Sequence, residues 1–387
     1  MFSYPSPLSP LISSLEKLGY ECHATRCALD VYHEGYCFRL LPYTDREVDM
    51  AGKMLRSHSL EEEDYQRRFT CFEFLPPHQT VLKNAMLQNP AFLPAIRLFK
   101  LWAAAHMFSQ VIPEALMDEL VLAVFSKNPA PLHPVEAFLR VLRLIATFPW
   151  SEATLAINSN NVLTADQLQK MVKEVDEARR EATQKVVCSV VSPLDKHSVL
   201  TRPIQPAVWS RLIAVAQNTL KQMLKGWLDL SEPHALFVPA LQDFDLVLNL
   251  RPEYLSPIPK WMRVFGKAGR RGASYVCKEF KNVMMNRNKL LVDYRPEEVL
   301  LAAVREAVGS GGVVMMNGAW GKRIGIAWKP GYFVPSAMSM ASVSHCFPVQ
   351  KGEGKQREDV MLVRDIFDML HCLKESLGDV LEDIEFK

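Results

Sequence analysis

The fold of this chain is decided by AFLPAIRLFKLWAAAHMFSQVIPEALMDELVLAVF, which runs from Ala91 to Phe125. The stretch predicts two helices, of which the first is apolar almost all round and the second begins at Pro113, a residue favoured in the first helical turn. A helix that is apolar on most sides must bury most of its surface in a core. Around this pair we therefore expect a helical domain with a large apolar core.

Charged residues interrupt this apolar pattern, among them Arg97 and Lys100 in the first helix and Glu119 in the second. Arg97 and Lys100 are three residues apart, so they are neighbours on one helix face. A charge in apolar surroundings is costly unless it is paired or faces a ligand cleft. We therefore predict a structural ion pair between Arg97 and Glu119.

Composition gives the broad class of the protein. The chain has 387 residues, 49% of them hydrophobic and 23% charged, which is typical of two or three globular domains and argues against disorder. Eight cysteines form no C-x-x-C pair and ten histidines show no ligand spacing, so we predict free, buried thiols, a reducing compartment and no metal site. No apolar run reaches the length of a membrane span, so no membrane contact is expected.

Hydrophobic periodicity predicts secondary structure along the rest of the chain. A hairpin is expected from Ala28 to Tyr32 and Tyr36 to Leu41, followed by a charged helix from Asp45 to Phe69. Further helices are expected over Val135–Phe148, Pro206–Leu224, Pro296–Val308 and Arg357–Glu385. Further strands are expected over Val186–Val191, Ala235–Val238, Phe244–Leu250, Gly312–Asn317 and Lys322–Trp328.

The helix pair, with its R-x-x-K-x-W pattern before a helix that contains E-L, resembles the helical domain that follows the catalytic palm in nucleotidyltransferases of the poly(A)-polymerase and oligoadenylate-synthetase type. Four later segments follow it in order: NPAPLHPVEAFLRVLRLIATFPW, VVCSVVSPLDKHSVLTRPIQPAVWSRLIAVAQNTL, LFVPALQDFDLVLNL and GVVMMNGAWGKRIGIAWKPGYF. Together they resemble the C-terminal part of the nucleolar RNA-associated protein (Nrap) family.

This resemblance implies an α+β fold in three parts. The end of a nucleotidyltransferase-like palm would occupy residues 1–75. A helical domain like that of poly(A) polymerase and oligoadenylate synthetase would occupy residues 76–232. A C-terminal α/β domain of the Nrap type would occupy residues 233–387.

The resemblance also implies a function. Members of the family are large UTP-C subunits of the small-subunit processome, the ribonucleoprotein that matures pre-ribosomal RNA in the nucleolus, within the nucleus. We therefore expect a non-enzymatic scaffold in ribosome biogenesis and rRNA processing, with no cofactor. Its expected partners are pre-ribosomal RNA, small nucleolar ribonucleoprotein, and other UTP-C and processome proteins.

The alternative is an active template-independent RNA nucleotidyltransferase. Such an enzyme needs carboxylates on one strand face to hold Mg²⁺, a spacing that Asp243 and Asp245 supply, with Asp293 as a conceivable third. The preceding SEPHALFVPAL lacks the glycine turn that holds a triphosphate, and these residues follow the helical domain rather than precede it. The interpretation we favour is therefore that no residue is catalytic, and that Lys100, which reaches a nucleotide phosphate in active relatives, has lost that partner.

The strongest concentration of charge is KWMRVFGKAGRRGASYVCKEFKNVMMNRNK, Lys260 to Lys289. Clustered cations bind phosphates, and the interleaved Trp261, Phe265 and Tyr275 would stack on unpaired bases. The other interpretation is a solvated basic face with buried aromatics. We predict RNA contact from nine residues: Lys260, Arg263, Lys267, Arg270, Arg271, Lys278, Lys281, Arg287 and Lys289.

Overall fold

The computed structural model describes residues 9–24, 28–33, 36–41, 46–57, 62–159, 162–181, 186–225, 233–251, 296–317, 322–335, 346–349 and 361–387. The chain divides into two compact units. The first comprises residues 1–47 and 252–300, and the second comprises residues 48–251 and 301–387. Helices and sheets occur together, which confirms the α+β class at this level.

Helices in the described ranges are numbered in chain order as α1 Ser9–Lys17, α2 Glu47–Arg56, α3 Glu62–Arg68, α4 Leu75–Gln88, α5 Phe92–Ala105, α6 Glu114–Phe125, α7 Pro134–Thr147, α8 Ala165–Glu181, α9 Pro206–Lys225, α10 Pro296–Val308 and α11 Ile366–Leu377. A π-helical turn, Phe69–Phe74, joins α3 to α4. None of these helices is long and apolar enough to cross a membrane.

Strands are numbered in the same way as β1 Glu21–Ala24, β2 Leu29–His33, β3 Tyr36–Leu40, β4 Leu155–Ala156, β5 Val190–Val191, β6 Leu246–Leu250, β7 Gly312–Met316, β8 Arg323–Trp328, β9 Cys346–Val349, β10 Met361–Arg364 and β11 Leu381–Phe386.

The first unit contains a three-stranded antiparallel sheet in the order β1-β2-β3. The sheet confirms the predicted hairpin, with Val31 paired to Phe38 across β2 and β3. Val31 is buried, and Arg39 donates two hydrogen bonds, of 2.7 and 2.8 Å, to the carboxylate of buried Asp30. This cross-strand pair neutralises the one carboxylate that the strand buries.

The helical part of the second unit surrounds Trp102, which is fully buried on α5. Helix α5 packs on α6 and α7, and α7 packs on α9, so all four helices share one apolar core. The Trp102 indole N–H donates to the hydroxyl of buried Thr219 on α9 at 3.2 Å. The structure confirms the helices predicted around this core. They were predictable because each carries an apolar stripe at helical spacing.

A four-stranded antiparallel sheet in the order β11-β6-β8-β7 completes the second unit. Phe244, immediately before β6, is buried and lies directly on Gly325 of β8, where a Cβ atom would come within 2.6 Å of the ring. Helix α10 ends at Val308, and Gly309, whose φ of +61° favours glycine, follows it before the chain enters β7. The predicted helix and three of the predicted strands here are confirmed.

Four predictions of secondary structure are wrong. The single charged helix expected over Asp45–Phe69 is instead α2 and α3, with Ser57 in a turn after α2. The segment expected as a strand over Ala235–Val238 contains the 3₁₀ helix Pro233–Phe237, because a short apolar run does not by itself distinguish a strand from a turn. The strand expected over Val186–Val191 is reduced to β5. The terminal helix expected over Arg357–Glu385 is instead β10, α11 and β11, where the Asp365 side chain caps the start of α11 and Gly378, at φ +49°, follows its end.

The apolar core of the second unit runs across the predicted boundary between residues 232 and 233. Phe244 and Val247 at β6, and Val313 and Met315 on β7, belong to the same cluster as the helical core. The compact units have limits of their own. The division into residues 1–75, 76–232 and 233–387 stays a prediction.

Of the cysteines whose side chains the structure describes, those at positions 22, 71, 188, 346 and 372 form no disulfide, as predicted. Their predicted burial holds for Cys188, whereas the other four are partly exposed. Burial raises the pKa of the Cys188 thiol to about 12, so this side chain is an unreactive part of the core.

Candidate functional site: a charged cluster between three helices

A cluster of charged side chains lies where α4, α5 and α6 meet. Helix α4 contributes His78, which follows two prolines in the first turn, and α5 contributes Lys100. Helix α6 contributes Asp118 and Glu119, which are both buried and lie among apolar positions of this helix. Charges remain in this core because each contacts a group of opposite or titratable charge.

Lys100 is held by two carboxylates of the next helix. Its Nζ atom lies 2.9 Å from Asp118 Oδ1 and donates a hydrogen bond of 3.1 Å to Asp118 Oδ2. Glu114 Oε2 lies 3.4 Å from the same atom. The lysine side chain is 30% exposed and that of Asp118 is 9% exposed. The positive charge of Lys100 is therefore neutralised inside the protein.

His78 lies between the two buried carboxylates of α6. Its Nδ1 atom is 3.4 Å from Glu119 Oε1 and its Nε2 atom is 3.7 Å from Asp118 Oδ2. Burial alone lowers the pKa of His78, but interaction with Asp118 and Glu119 more than offsets that effect and leaves the pKa above its ordinary value. The protonated imidazolium is therefore the form that this site favours.

The predicted ion pair between Arg97 and Glu119 is corrected by this geometry. Arg97 lies on the exposed face of α5, whereas Glu119 is 3% exposed and faces His78. Arg97 and Lys100 are neighbours on the helix, but the wide apolar face of α5 takes the core side and leaves Arg97 in water. A solvated arginine needs no buried partner.

Sequence reasoning missed His78 and Asp118. His78 is a single histidine in a helix that is distant in sequence from α6, so no spacing connects the two. Asp118 precedes Glu119 in a run that is otherwise apolar, and that pair of adjacent acids was the available indication of a second buried carboxylate.

The aspartates weighed as metal ligands lie just before β6, not on it. Asp243 ends a 3₁₀ turn, and its Oδ2 atom is 3.3 Å from Arg211 Nε. Asp245 Oδ2 accepts a 2.7 Å hydrogen bond from the backbone N–H of Trp328. Both aspartates are exposed and each has a protein partner. Asp293, the suggested third ligand, lies outside the described residues.

Arg211 joins α9 to the segment that leads into β6. Its guanidinium donates 2.8 and 3.5 Å hydrogen bonds to the carbonyls of His106 and Ala240 and lies over the rings of Phe108 and Phe244, 5.1 and 4.7 Å from their centroids. Burial lowers the pKa of Arg211, and Asp243 partly offsets this effect. An arginine with these contacts is a structural connection between the helical core and the sheet.

The nine residues predicted to contact RNA, from Lys260 to Lys289, all lie outside the described residues, so the RNA-binding prediction stays a prediction. Within the described ranges no group of three or more His, Cys, Asp or Glu side chains is arranged to hold a metal ion.

Two family profiles match the chain, one directly after the other. "Nrap protein PAP/OAS1-like domain 5" matches residues 89–239, and "Nrap protein domain 6" matches residues 241–384. The first match contains α5, α6 and Lys100, and the second begins where Arg211 contacts the segment before β6. The chain belongs to the Nrap family.

Members of the family with curated names are similar to this chain over most of its length. Nucleolar protein 6 of Xenopus laevis is 28% identical over 351 residues, 87% of this chain and 30% of that protein. Nucleolar protein 6 of Homo sapiens is 27% identical over 86% of this chain and 29% of that protein. U3 small nucleolar RNA-associated protein 22 of Schizosaccharomyces pombe is 21% identical over 58% of this chain and 21% of that protein. The chain thus spans about a third or less of these relatives.

Proposed function

We propose that this chain acts as part of a non-enzymatic nucleolar scaffold in ribosome biogenesis and rRNA processing. The names of the related proteins support a nucleolar location and an association with small nucleolar RNA. In this proposal the chain belongs to a processome subunit of the UTP-C type that holds pre-ribosomal RNA and neighbouring proteins in position. A helical domain of the poly(A)-polymerase and oligoadenylate-synthetase class would then serve as architecture.

The observation that carries the proposal is the neutralisation of Lys100. A lysine that grips a nucleotide phosphate must present its ammonium group to the ligand as an uncompensated charge. Here Asp118 and Glu114 already occupy the ammonium group, at 2.9 and 3.4 Å. A phosphate would have to displace a buried carboxylate and break a buried ion pair, which is unfavourable. The lysine has become a structural group.

The contacts of Asp243 and Asp245 support the same proposal. A catalytic palm requires carboxylates that converge on a shared metal position. Asp243 instead faces Arg211, and Asp245 accepts the N–H of Trp328 and so fixes the start of β6 against β8. Both carboxylates therefore contribute to the fold.

RNA binding is the part of the scaffold role that the basic stretch from Lys260 to Lys289 would supply. Each phosphate contact in single-stranded RNA contributes about 0.7 to the slope of log affinity against log salt concentration. Replacing Arg270 and Arg271 with Gln should therefore weaken binding of a labelled single-stranded RNA and reduce that slope by about 1.4. Fluorescence anisotropy over a salt series measures both quantities.

The matched control replaces the exposed Lys170 and Lys173 of α8 with Gln, which removes the same two positive charges. An equal loss of slope in both double variants would show that RNA binding depends only on net charge. That result would contradict a specific role of the basic stretch from Lys260 to Lys289. The same proteins, incubated with labelled nucleoside triphosphates, RNA and Mg²⁺, test the enzymatic alternative. Incorporation by the wild-type chain that disappears in Asp245→Asn, which keeps an acceptor for the Trp328 N–H, would overturn the scaffold proposal.

A further inference from the structure

A cleft of about 880 Å³ opens in the second unit, and its lining includes none of the residues of the charged cluster at Lys100. Helix α8 forms one wall, the segment that precedes β5 forms another, and the loop between β5 and α9 forms the rest. Its lining includes Val175, Arg179, Val187, Ser198, Arg202 and Ile204. Protein sites that bind small ligands or peptide segments have volumes of about 300 to 1,000 Å³.

The loop under the cleft is rigidly built. Ser198 has a left-handed backbone with φ +53°, which a residue other than glycine adopts only when its surroundings enforce it. The Ser198 hydroxyl accepts the N–H of Val190 at 2.9 Å and lies 2.7 Å from the Thr201 hydroxyl. Buried Asp195 accepts the N–H groups of Val199 and Leu200, both at 2.9 Å. The polar groups of the floor are therefore satisfied internally, and the cleft shape is fixed.

The walls of the cleft are aliphatic. Val175 and Ile204 are buried, Val187 is half-buried, and the lining contains no Phe, Tyr or Trp side chain among the residues described. Proteins often bind unpaired bases by stacking them on Phe, Tyr or Trp rings, so this lining is less suited to RNA bases. It suits the aliphatic side chains of an extended peptide.

The charges at the cleft favour an acidic ligand. Arg179 donates to the carbonyl of Trp150 at 2.6 Å and makes no ion pair within the described part of the chain. Arg202 pairs with Glu62 at 3.0 Å, but their side chains are 41% and 47% exposed. An exposed ion pair contributes little, so a ligand carboxylate can replace Glu62 at low cost. His197 adds a further basic group at the rim.

We infer that this cleft binds an extended peptide segment of a partner protein in which acidic and aliphatic side chains alternate. Aliphatic side chains would pack on Val175, Val187 and Ile204, while carboxylates would pair with Arg179 and Arg202. The inference deepens the scaffold role by giving the chemistry of a protein partner, and it rests on that role for the partner's place in the cell. Peptide binding and RNA binding are measured separately, so either can fail alone.

The test uses the full chain and three fluorescein-labelled peptides of equal length, in which Glu alternates with Val, Glu with Ser, or Lys with Val. The Glu–Val peptide should bind saturably, and each of the other two should bind about tenfold more weakly, because each lacks one class of contact. Equal binding of all three, or no saturable binding, would overturn the inference. A labelled single-stranded RNA that displaces the Glu–Val peptide would point to nucleic acid instead and would also overturn it.

Variants locate the binding. Arg202→Gln should weaken Glu–Val peptide binding about tenfold, whereas Arg180→Gln, a neighbour of Arg179 that is exposed and does not line the cleft, should leave it unchanged. Ala178→Trp, an exposed position that lines the cleft, should block binding by filling the space, whereas Ala165→Trp at the other end of α8 should not. Unaltered binding in Arg202→Gln and Ala178→Trp would contradict the assignment.

Discussion

His78 shows what a single residue contributes in an apolar setting. Its side chain is fully buried between Asp118 and Glu119, and it packs against the tilted ring of Phe74 with ring centroids 4.6 Å apart. Lys100 binds Asp118 from the other side. Such a buried network is strongly destabilised when one member is removed, although apolar residues of similar volume can often replace the whole set. The three helices are thereby held in one register.

The charge of His78 makes stability depend on pH. Because the folded-state pKa is raised above the ordinary value of 6.5, the stabilisation is fully present below about pH 6.5 and is lost as pH rises through the folded pKa. The free energy of unfolding of the wild type should therefore fall as the pH rises above about 6.5, and this fall should be absent from His78→Gln. Urea denaturation at a series of pH values measures the difference.

The control for this measurement is His371→Gln, which removes an exposed histidine of α11. This variant should keep the wild-type dependence on pH. A His78→Gln protein whose unfolding free energy follows the wild-type curve in parallel would show that His78 does not carry the effect.

At the scale of elements, β8 illustrates how one glycine sets the distance between a strand and its neighbour. Phe244 occupies the space where a side chain of residue 325 would be, so the sheet can approach the ring closely. Glycine in a strand interior is otherwise unfavourable, and this contact supplies the reason for it. The fold therefore depends on Gly325 through packing, not through backbone conformation.

Gly325→Ala should destabilise the protein by about 1 to 3 kcal/mol because the new methyl group would overlap the Phe244 ring. Gly52→Ala is the matched control. Gly52 lies within α2, and a Cβ atom there would be 3.7 Å from Tyr65, an ordinary contact. That variant should stabilise by about 0.5 to 1 kcal/mol through helix propensity. Urea denaturation gives both values, and a loss of stability at both positions would contradict the packing argument.

The elements also show how far sequence reasoning reaches. Helices α5, α7 and α9 were predictable because their apolar residues recur at helical spacing over three or more turns. The prediction of one terminal helix was wrong because the apolar positions continue past Gly378 into β11. There the pairing of β11 with β6 determines the structure. Pairing partners distant in sequence, like the contact between His78 and α6, leave no local pattern. The cleft beside α8 is lined mainly by residues 175–206, which are close in sequence, and by Glu62, which is distant.

At the scale of the whole second unit, Arg211 connects the residues matched by the two family profiles. Its side chain is 12% exposed, its hydrogen bonds reach carbonyls on both sides, and the rings of Phe108 and Phe244 enclose it. The core is continuous from α5 through Val247 to Met315. The helical part and the sheet should therefore unfold together.

Native-state hydrogen exchange tests this coupling. Backbone amides of α9 and β6 should exchange with the same opening free energy in the wild type. Arg211→Met keeps an apolar stem on the two rings but leaves two carbonyls without their donor, so it should lower that free energy by about 2 to 4 kcal/mol. Arg143→Gln, an exposed arginine of α7, should have no such effect. Amides of β6 that open independently of α9 in the wild type would contradict a single cooperative unit.

The shared core has a practical consequence for anyone who divides this protein at its family boundary. A cut between α9 and β6 separates Phe244 and Val247 from the helices that shield them, and each piece would expose apolar surface to solvent. Exposed apolar surface of that kind promotes aggregation during expression. Fragments intended for biochemistry should therefore keep both halves together.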